Sequence, residues 1–195
     1  MADPFVTGLV LAAGGSSRLG RPKQLLPYGE GTLLEHVLAI ACASPLDQLI
    51  VAVGGSSDEV LARVDMRGAE VVVNDSYGEG CSSSIAASLP LVDPACDVLV
   101  LMLGDQPGVT AASVCALVQG RGDAPVAVCR YDDGRGHPFA FGRTVFGGLA
   151  GLHGDKAVWK LLEQRPELVR EVRMPGRVPP DVDTWDDYDA VLSTG

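Results

Sequence analysis

The chain alternates short apolar runs with segments of helical periodicity. Five runs are apolar without alternation, as expected of strands buried on both faces, and a sixth strand-like run follows late in the chain. In order, the six runs are Val6–Leu11, Leu49–Val53, Glu70–Val73, Val98–Leu103, Val126–Cys129 and Leu168–Val172. Helical patterns separate them at Thr32–Ala43, Asp58–Val64, Ser82–Leu89, Ala111–Gln119 and Ala157–Gln164.

This alternation of strands and helices predicts an α/β fold with a mostly parallel central sheet. Ligands of such sheets bind beyond the carboxyl ends of the strands. We therefore expect the chemistry in the loops after the first four strands, at residues 13–27, 54–57, 74–84 and 104–108. After Arg130 the pattern changes to a turn-rich segment, the aromatic run Phe139-Ala140-Phe141 and a glycine-rich helical region. We interpret the whole chain, residues 1–195, as a single domain.

Composition narrows the classes of function. With 195 residues, 47% of them hydrophobic, the chain can bury a sizeable core. A net charge of −10 argues against nucleic acid and against an anionic membrane surface as partners. The five cysteines are widely spaced and contain no C-x-x-C pair, which fits neither a disulfide framework nor a zinc site. No signal peptide or membrane-spanning run is visible, so we expect a cytoplasmic protein.

The most informative segment is the glycine-rich, basic loop LAAGGSSRLGRPK at residues 11–23. Gly14 and Gly15 allow close approach of the backbone to a ligand, and consecutive N–H groups in such a turn form an anion-binding concavity. Arg18 and Lys23 add positive charge that suits phosphate oxygens. The loop is neither a P-loop nor a dinucleotide fingerprint. We interpret it as a cradle for a nucleoside triphosphate; the alternative is a plain turn with two solvated cations.

Two carboxylates are candidate ligands of Mg²⁺. Asp105 stands where the strand Val98–Leu103 ends in a loop, and Asp183 lies near the end of the chain. Mg²⁺ prefers one or two carboxylates together with phosphate oxygens and waters. The alternatives are that Asp105 only forms a turn and that Asp183 caps the final helix.

The loop pattern L-A-A-G-x-S-x-R-x-G-x-x-K-x-L-L-P resembles the nucleotidyltransferases of molybdenum-cofactor biosynthesis. It is most similar to the cytidylyltransferase group and close to the guanylyltransferase group. Later segments resemble, in the same order, the family motifs G-x-S-x-S, G-D-x-P, G-H-P, G-D before a helix, and D-[IV]-D-T. They are Gly80–Ser84, Gly104–Pro107, Gly136–Pro138, Gly154-Asp155 and Asp181–Thr184.

The resemblance implies a Rossmann-like three-layer sandwich with a C-terminal acceptor-side extension. The nucleotide half would be about residues 1–120 and the acceptor half about residues 121–195. The implied reaction transfers CMP from CTP, or GMP from GTP, to the terminal phosphate of molybdopterin and releases pyrophosphate. Mg²⁺ would be the cofactor and a molybdenum hydroxylase the client enzyme.

Roles for individual residues follow from the same resemblance. Lys23, Arg18 and Asp105 are the expected catalytic residues, with Asp105 and Asp183 as metal ligands. The expected nucleotide-binding residues are Leu11, Ala12, Ala13, Gly14, Gly15, Arg18, Lys23, Asn74, Gly80, Ser82 and Ser83. His137 and Asp155 are the expected acceptor-binding residues. The alternatives are a structural role for His137 and helix capping by at least one of the serines.

One departure concerns the acceptor. Relatives often carry G-D-x-G-A-R, where this chain reads GDKAVWK at residues 154–160. Lys156 and Lys160 supply charge in place of the arginine, so the acceptor could differ from molybdopterin. The L-A-A-G form of the loop favours CTP, because guanylyltransferases usually read L-A-G-G. A non-catalytic chaperone that carries the cofactor is the alternative from another class, and the intact Arg18, Lys23 and Asp105 argue against it.

Overall fold

The computed structural model describes residues 3–194 and contains one large and one small sheet. In chain order the strands are β1 (Val6–Ala12), β2 (Pro27–Tyr28), β3 (Gly31–Thr32), β4 (Gln48–Val53), β5 (Glu70–Val73), β6 (Val98–Leu103), β7 (Val126–Arg130), β8 (Arg135–Gly142) and β9 (Val169–Arg173). Strands β2 and β3 pair only with each other. The other seven form one sheet in the order β5-β4-β1-β6-β8-β7-β9.

Within the large sheet, β8 is antiparallel to both of its neighbours, β6 and β7. The remaining pairs, β1 with β4, β1 with β6, β4 with β5 and β7 with β9, are parallel. The predicted α/β fold with a mostly parallel sheet is confirmed. Because β1 lies between β4 and β6, the loops after these three strands meet at one edge of the sheet.

Helices cover both faces of the sheet. They are α1 (Leu33–Cys42), α2 (Ser57–Arg63), α3 (Cys81–Ser88), α4 (Ala111–Arg121), α5 (Phe146–Ala150), α6 (Ala157–Gln164) and α7 (Trp185–Thr194). Consecutive strand residues such as Val10 and Leu11 point to opposite faces of the sheet and enter different core clusters. One cluster is built with α1, α2 and α4, and the other with α3, α5 and α6. The result is a three-layer sandwich. Among residues 3–194, no helix combines the length and apolarity that a membrane span requires.

Strand β8 is a strand that the hydrophobic pattern did not predict. Gly136 and Pro138 interrupt its apolar run, and both residue types are disfavoured inside strands. In the structure, the pairing of β7 with β8 moves from Val128–Phe139 to Cys129–Gly136, so the ladder is irregular there. Pro138 lies in this irregularity, where its missing N–H costs no ladder hydrogen bond.

Helices α1 and α3 begin in different ways. At α1, Thr32 and Glu35 form a capping box, because Glu35 N donates to the Thr32 hydroxyl while the Glu35 carboxylate accepts from Thr32 N. At α3 the predicted serine cap is wrong, since the N-cap residue is Gly80 and none of the serines of the helix makes a capping hydrogen bond. Instead, Cys81 N donates to Asp155 Oδ1 at 3.1 Å, so a loop distant in sequence binds this helix end.

Candidate active site

The loops that follow β1, β4 and β6 pack tightly together at the carboxyl ends of these strands. A Cβ added at Gly54 would lie 2.8 Å from the Ala13 carbonyl, and one added at Gly104 would lie 3.0 Å from the Ala12 side chain. These distances leave no room for larger residues, so the glycines permit the loops to converge. A cavity of about 290 Å³ opens between them and the start of α3. Its lining is Leu11, Ala12, Ala13, Gly14, Lys23, Gln24, Tyr77, Gly80, Cys81, Ser84, Leu103, Gly104, Asp105, Asp155 and Asp181.

The glycine-rich loop keeps its main-chain donors available. Within residues 3–194, none of the N–H groups of residues 14–18 donates a hydrogen bond to the protein. Hydrogen bonds from Lys23 and Gln24 hold the loop in place instead. Lys23 N donates to Ser16 Oγ at 3.0 Å, and Gln24 Nε2 donates to the carbonyls of Ala12 and Gly14 at 2.6 and 3.2 Å. A turn with consecutive unpaired N–H groups is suited to bind an anion.

A chain of four charged side chains begins in the wall of this cavity, which Lys23 and Asp105 line. The Lys23 ammonium contacts Asp105 Oδ2 in a very short ion pair and donates to Asp183 Oδ1 at 2.8 Å. Arg18 Nη2 donates to Asp183 Oδ2 at 3.1 Å. The Lys23 and Asp105 side chains are only 13% and 15% exposed. Because solvent screens such partly buried charges weakly, they are coupled strongly to one another.

Burial and neighbouring charges together set the pKa values of Lys23, Asp105 and Asp183. Burial by itself lowers the pKa of the Lys23 ammonium, but the charges and hydrogen bonds of Asp105 and Asp183 outweigh it and hold that pKa above its ordinary value. Burial raises the pKa of Asp105 against the attraction of Lys23. The hydrogen bond from Lys23 keeps the pKa of Asp183 low. The buried Oδ1 atom of Asp105 has no hydrogen-bond partner among the described residues.

Asp183 can accept hydrogen bonds from Lys23 and Arg18 because two other residues, Thr184 and Asp187, cap α7. Asp187 N donates to the Thr184 hydroxyl at 3.3 Å, and Asp187 Oδ2 accepts from Thr184 N at 2.8 Å. This reciprocal pair is a capping box. The alternative role of Asp183 as the helix cap is therefore not the one that the structure gives it.

A buried asparagine organises the loop before α3. Asn74 Nδ2 donates to the hydroxyls of Ser83 and Ser84 at 2.8 and 2.9 Å, while Asn74 Oδ1 accepts from Ser76 N. The Ser83 hydroxyl also lies 2.8 Å from the Gly80 carbonyl. These bonds fix the turn in which Gly80 has a φ of 100°, a conformation that favours glycine.

A second cavity of about 350 Å³ adjoins the first and shares five lining residues with it. The shared residues are Leu11, Cys81, Leu103, Asp155 and Asp181. The rest of its wall includes the rings of His137, Phe139 and Trp159. His137 packs with its ring centre 4.1 Å from that of Phe139, and Trp159 meets Phe139 edge-on at 5.1 Å. Burial lowers the pKa of His137 to about 3, so its imidazole is neutral.

Comparison with known proteins identifies the family of this chain. Residues 8–169 match the MobA-like NTP transferase domain, and this range includes both cavities' strand ends and the glycine-rich loop. The chain belongs to the MobA-like NTP transferase family. The resemblance inferred from the sequence motifs is thereby confirmed, and the protein is an enzyme of the nucleotidyltransferase class.

Solved structures and a curated relative extend this match. A homologue of Mycobacterium tuberculosis Rv0371c from Mycobacterium sp. strain JC1 is 55% identical, with a TM-score of 0.92 over 97% of this chain and 96% of that one. Rv0371c from M. tuberculosis H37Rv in complex with manganese is 46% identical, with a TM-score of 0.88 over 98% and 100% of the two chains. Nicotine blue oxidoreductase of Paenarthrobacter nicotinovorans is 30% identical over 175 residues, or 85% of each protein.

In this MobA-like transferase the predicted site residues fall into groups. Among the expected nucleotide-binding residues, Leu11, Ala12, Ala13, Gly14, Lys23 and Gly80 line the first cavity. Four others line neither cavity: Gly15, Asn74, Ser82 and Ser83. Arg18 and Asp183 join the site through their ion pair. His137 and Asp155 both line the second cavity.

Several lining residues were not singled out from the sequence. Four such residues line the first cavity: Gln24, Tyr77, Cys81 and Asp181. Gln24 carries a signal that could have revealed it, because a glutamine next to Lys23 in a buried turn has polar groups to satisfy. Tyr77 carries none, since its place depends on packing against Gly54 and Gly55, which are distant in sequence.

Proposed function

We propose that this MobA-like transferase moves CMP from CTP to the terminal phosphate of molybdopterin and releases pyrophosphate. The observation that carries the proposal is the hydrogen-bonded chain Arg18–Asp183–Lys23–Asp105 beside a loop of unpaired N–H groups. Cations and main-chain donors next to two carboxylates suit a triphosphate bound with a divalent cation.

The residues present fit such a cation. Asp105 has a buried carboxylate oxygen without a partner, and Asp183 lies across Lys23 from it. Within residues 3–194, no group of three or more histidine, cysteine, aspartate or glutamate side chains could hold a metal by itself. Two carboxylates plus phosphate oxygens are the usual environment of Mg²⁺. We propose Mg²⁺, held by Asp105 and Asp183; the relative in complex with manganese supports a divalent cation. When bound, it supplies Lewis-acid stabilisation of phosphate charge.

The chain's own residues would bind and orient the reactants. A terminal phosphate oxygen of the acceptor attacks the α-phosphorus, a new P–O bond forms, and the bond to the β-phosphate oxygen breaks. The attacking phosphate is already ionised, so no general base is required. Lys23 and Arg18 would neutralise the charge that grows on the leaving pyrophosphate. The free N–H groups of residues 14–18 would bind phosphate oxygens in the same way.

We propose that the rest of the first cavity holds the nucleoside. The backbone of Leu11–Gly14 and the turn at Gly80 line it, and they would contact base and ribose. Gly15, Asn74, Ser82 and Ser83 would act by shaping these loops. Under this proposal, residues 1–120 form the nucleotide half and residues 121–195 the acceptor half, which binds molybdopterin near His137 and Asp155. A cytoplasmic location and a molybdenum hydroxylase as client belong to the same proposal.

Pyrophosphate release tests the proposal. The purified protein is assayed with Mg²⁺ and with CTP, GTP, ATP or UTP, each with and without molybdopterin or its molybdenum form. We expect release only with CTP and acceptor. Release with GTP instead would keep the mechanism and overturn the choice of base. Binding of the acceptor without release from any nucleotide would indicate a cofactor chaperone, and release with a different phosphorylated acceptor would overturn molybdopterin.

A further inference from the structure

The second cavity contains a polar side chain that the transfer chemistry above does not use. Gln106 follows Asp105 directly and is 5% exposed. It lines the second cavity but not the first. Its position therefore relates it to the acceptor rather than to the triphosphate.

The orientation of the Gln106 amide is fixed by a single hydrogen bond. Gln106 Nε2 donates to the Pro179 carbonyl at 3.1 Å. A carbonyl can only accept, so the nitrogen must face Pro179 and the oxygen must lie on the other side. That oxygen, Oε1, is buried and has no hydrogen-bond partner among the described residues. A buried acceptor without a donor is costly, and native proteins rarely leave one unsatisfied without a reason.

The surroundings of Gln106 suit a flat ring. His137, Phe139 and Trp159 form an aromatic wall of the same cavity. Within residues 3–194, no hydrogen bond involves a ring nitrogen of His137, whose exposed fraction is 8%. A neutral imidazole offers one N–H donor and one acceptor nitrogen. The cavity thus combines aromatic surface with a small set of unpaired donors and acceptors, as ligand sites commonly do.

We infer that the oxygen of Gln106 accepts a hydrogen bond from an N–H group of a flat nitrogen heterocycle, which forms the part of the acceptor bound in the second cavity. Gln106 is then a specificity-determining residue. The inference rests on the proposed transfer only for the identity of the acceptor. The five residues shared by both cavities set the orientation: the heterocycle lies by His137 and Gln106, and the phosphate end lies toward Lys23 and Asp105.

Kinetics of a substituted enzyme provide the first test. Gln106→Leu removes the acceptor oxygen, and we expect the KM for molybdopterin to rise about 10- to 100-fold with the KM for CTP unchanged. Gly108→Ala is the matched control, because its new Cβ would lie 3.1 Å from Pro179 and disturb the same wall without touching the amide oxygen. It should leave both KM values within about twofold of wild type. An unchanged KM for molybdopterin in Gln106→Leu, or an equal rise in Gly108→Ala, overturns the inference.

Binding to the unaltered protein provides the second test, which does not depend on the folding of a variant or on turnover. The probes are pterin and an analogue with one methyl group on N3 and two on the 2-amino nitrogen, which removes the N–H groups at both positions. Binding is followed by pterin fluorescence. Pterin should bind at least about tenfold more tightly than the methylated form. Equal binding, or no binding of either, overturns the inference. Selective binding of pterin without any pyrophosphate release would leave it standing while the proposed transfer fails.

Discussion

The Lys23 ammonium donates a 2.8 Å hydrogen bond to Asp183 across 160 positions of the sequence. The same ammonium contacts Asp105 at the end of β6, so three segments meet at one nitrogen. The C-terminal segment before α7 therefore completes a site whose other parts come from the loops after β1 and β6. None of these three segments forms the charged site without the other two.

Replacing Lys23 tests its role as the main cation of the site. Lys23→Met keeps the length of the side chain and removes its charge. We expect kcat for pyrophosphate release to fall on the order of 10²-fold, by analogy with loss of one preorganised charge stabiliser. Arg21→Met is the matched control, since Arg21 lies over the Trp185 ring with 5.8 Å to its centre and contacts neither carboxylate. A near-normal rate in Lys23→Met would show that this cation holds the two carboxylates in place but does not stabilise the transition state.

Replacing Asp105 tests the metal assignment. Asp105→Asn preserves shape but removes the negative charge, and we expect transfer to drop by at least about 10²-fold while the fold is retained. Circular dichroism and pyrophosphate release measure the two properties, with the α2 surface variant Asp58→Asn as control. Manganese binding followed by electron paramagnetic resonance should weaken in parallel. Full activity of Asp105→Asn with an unchanged dependence on Mg²⁺ would contradict the assignment.

The turn before α3 gives a prediction about stability. In Gly80→Ala, the new Cβ would lie 2.6 Å from Asp155 N, and the residue would have to keep a φ of 100°. We expect the free energy of unfolding to fall by about 1–3 kcal/mol and the KM for CTP to rise. Urea titration and initial rates measure these effects. Two positions earlier, a Cβ added at Gly78 would meet no other segment within 4 Å, so Gly78→Ala should change little. Equal effects of the two substitutions would refute this interpretation of the turn.

The buried imidazole of His137 predicts a pH dependence of stability. Burial lowers its pKa from 6.5 to about 3. Between these values the unfolded chain binds a proton that the folded protein does not, so the free energy of unfolding must decrease as the pH falls. Between about pH 7 and about pH 5.5 we expect the protonation of this histidine to lower the free energy of unfolding by about 1 kcal/mol. Urea titrations of wild type and His137→Asn measure it, and the variant should show the shallower slope. His153→Asn should keep the wild-type slope, because His137 is intact there. A slope in His137→Asn equal to that of wild type would contradict the prediction.

Much of the fold could be predicted because buried strands leave a local signal. The apolar runs at β5 and β6 were predicted with the bounds that the structure gives them, as was helix α6. Strand β8 was not, since Gly136 and Pro138 break its pattern and only pairing with β6 and β7 makes it a strand. The wrong serine cap at α3 has a related cause, because the group that binds this helix end, Asp155, comes from a loop 74 positions away.

By itself, the sequence determined the alternation of strands and helices, the glycine-rich loop and the family. Each depends on residues close together in the chain, through apolar periodicity, backbone freedom at glycine and a local motif. Only the tertiary structure decided which charges meet: Lys23 could have paired with any nearby acid, and Asp183 could have capped α7. Packing of the loops after β1 and β6 against the segment before α7 brought Lys23, Asp105 and Asp183 within hydrogen-bond reach. Distances between segments so far apart depend on how the whole sheet is assembled, and no local pattern encodes them.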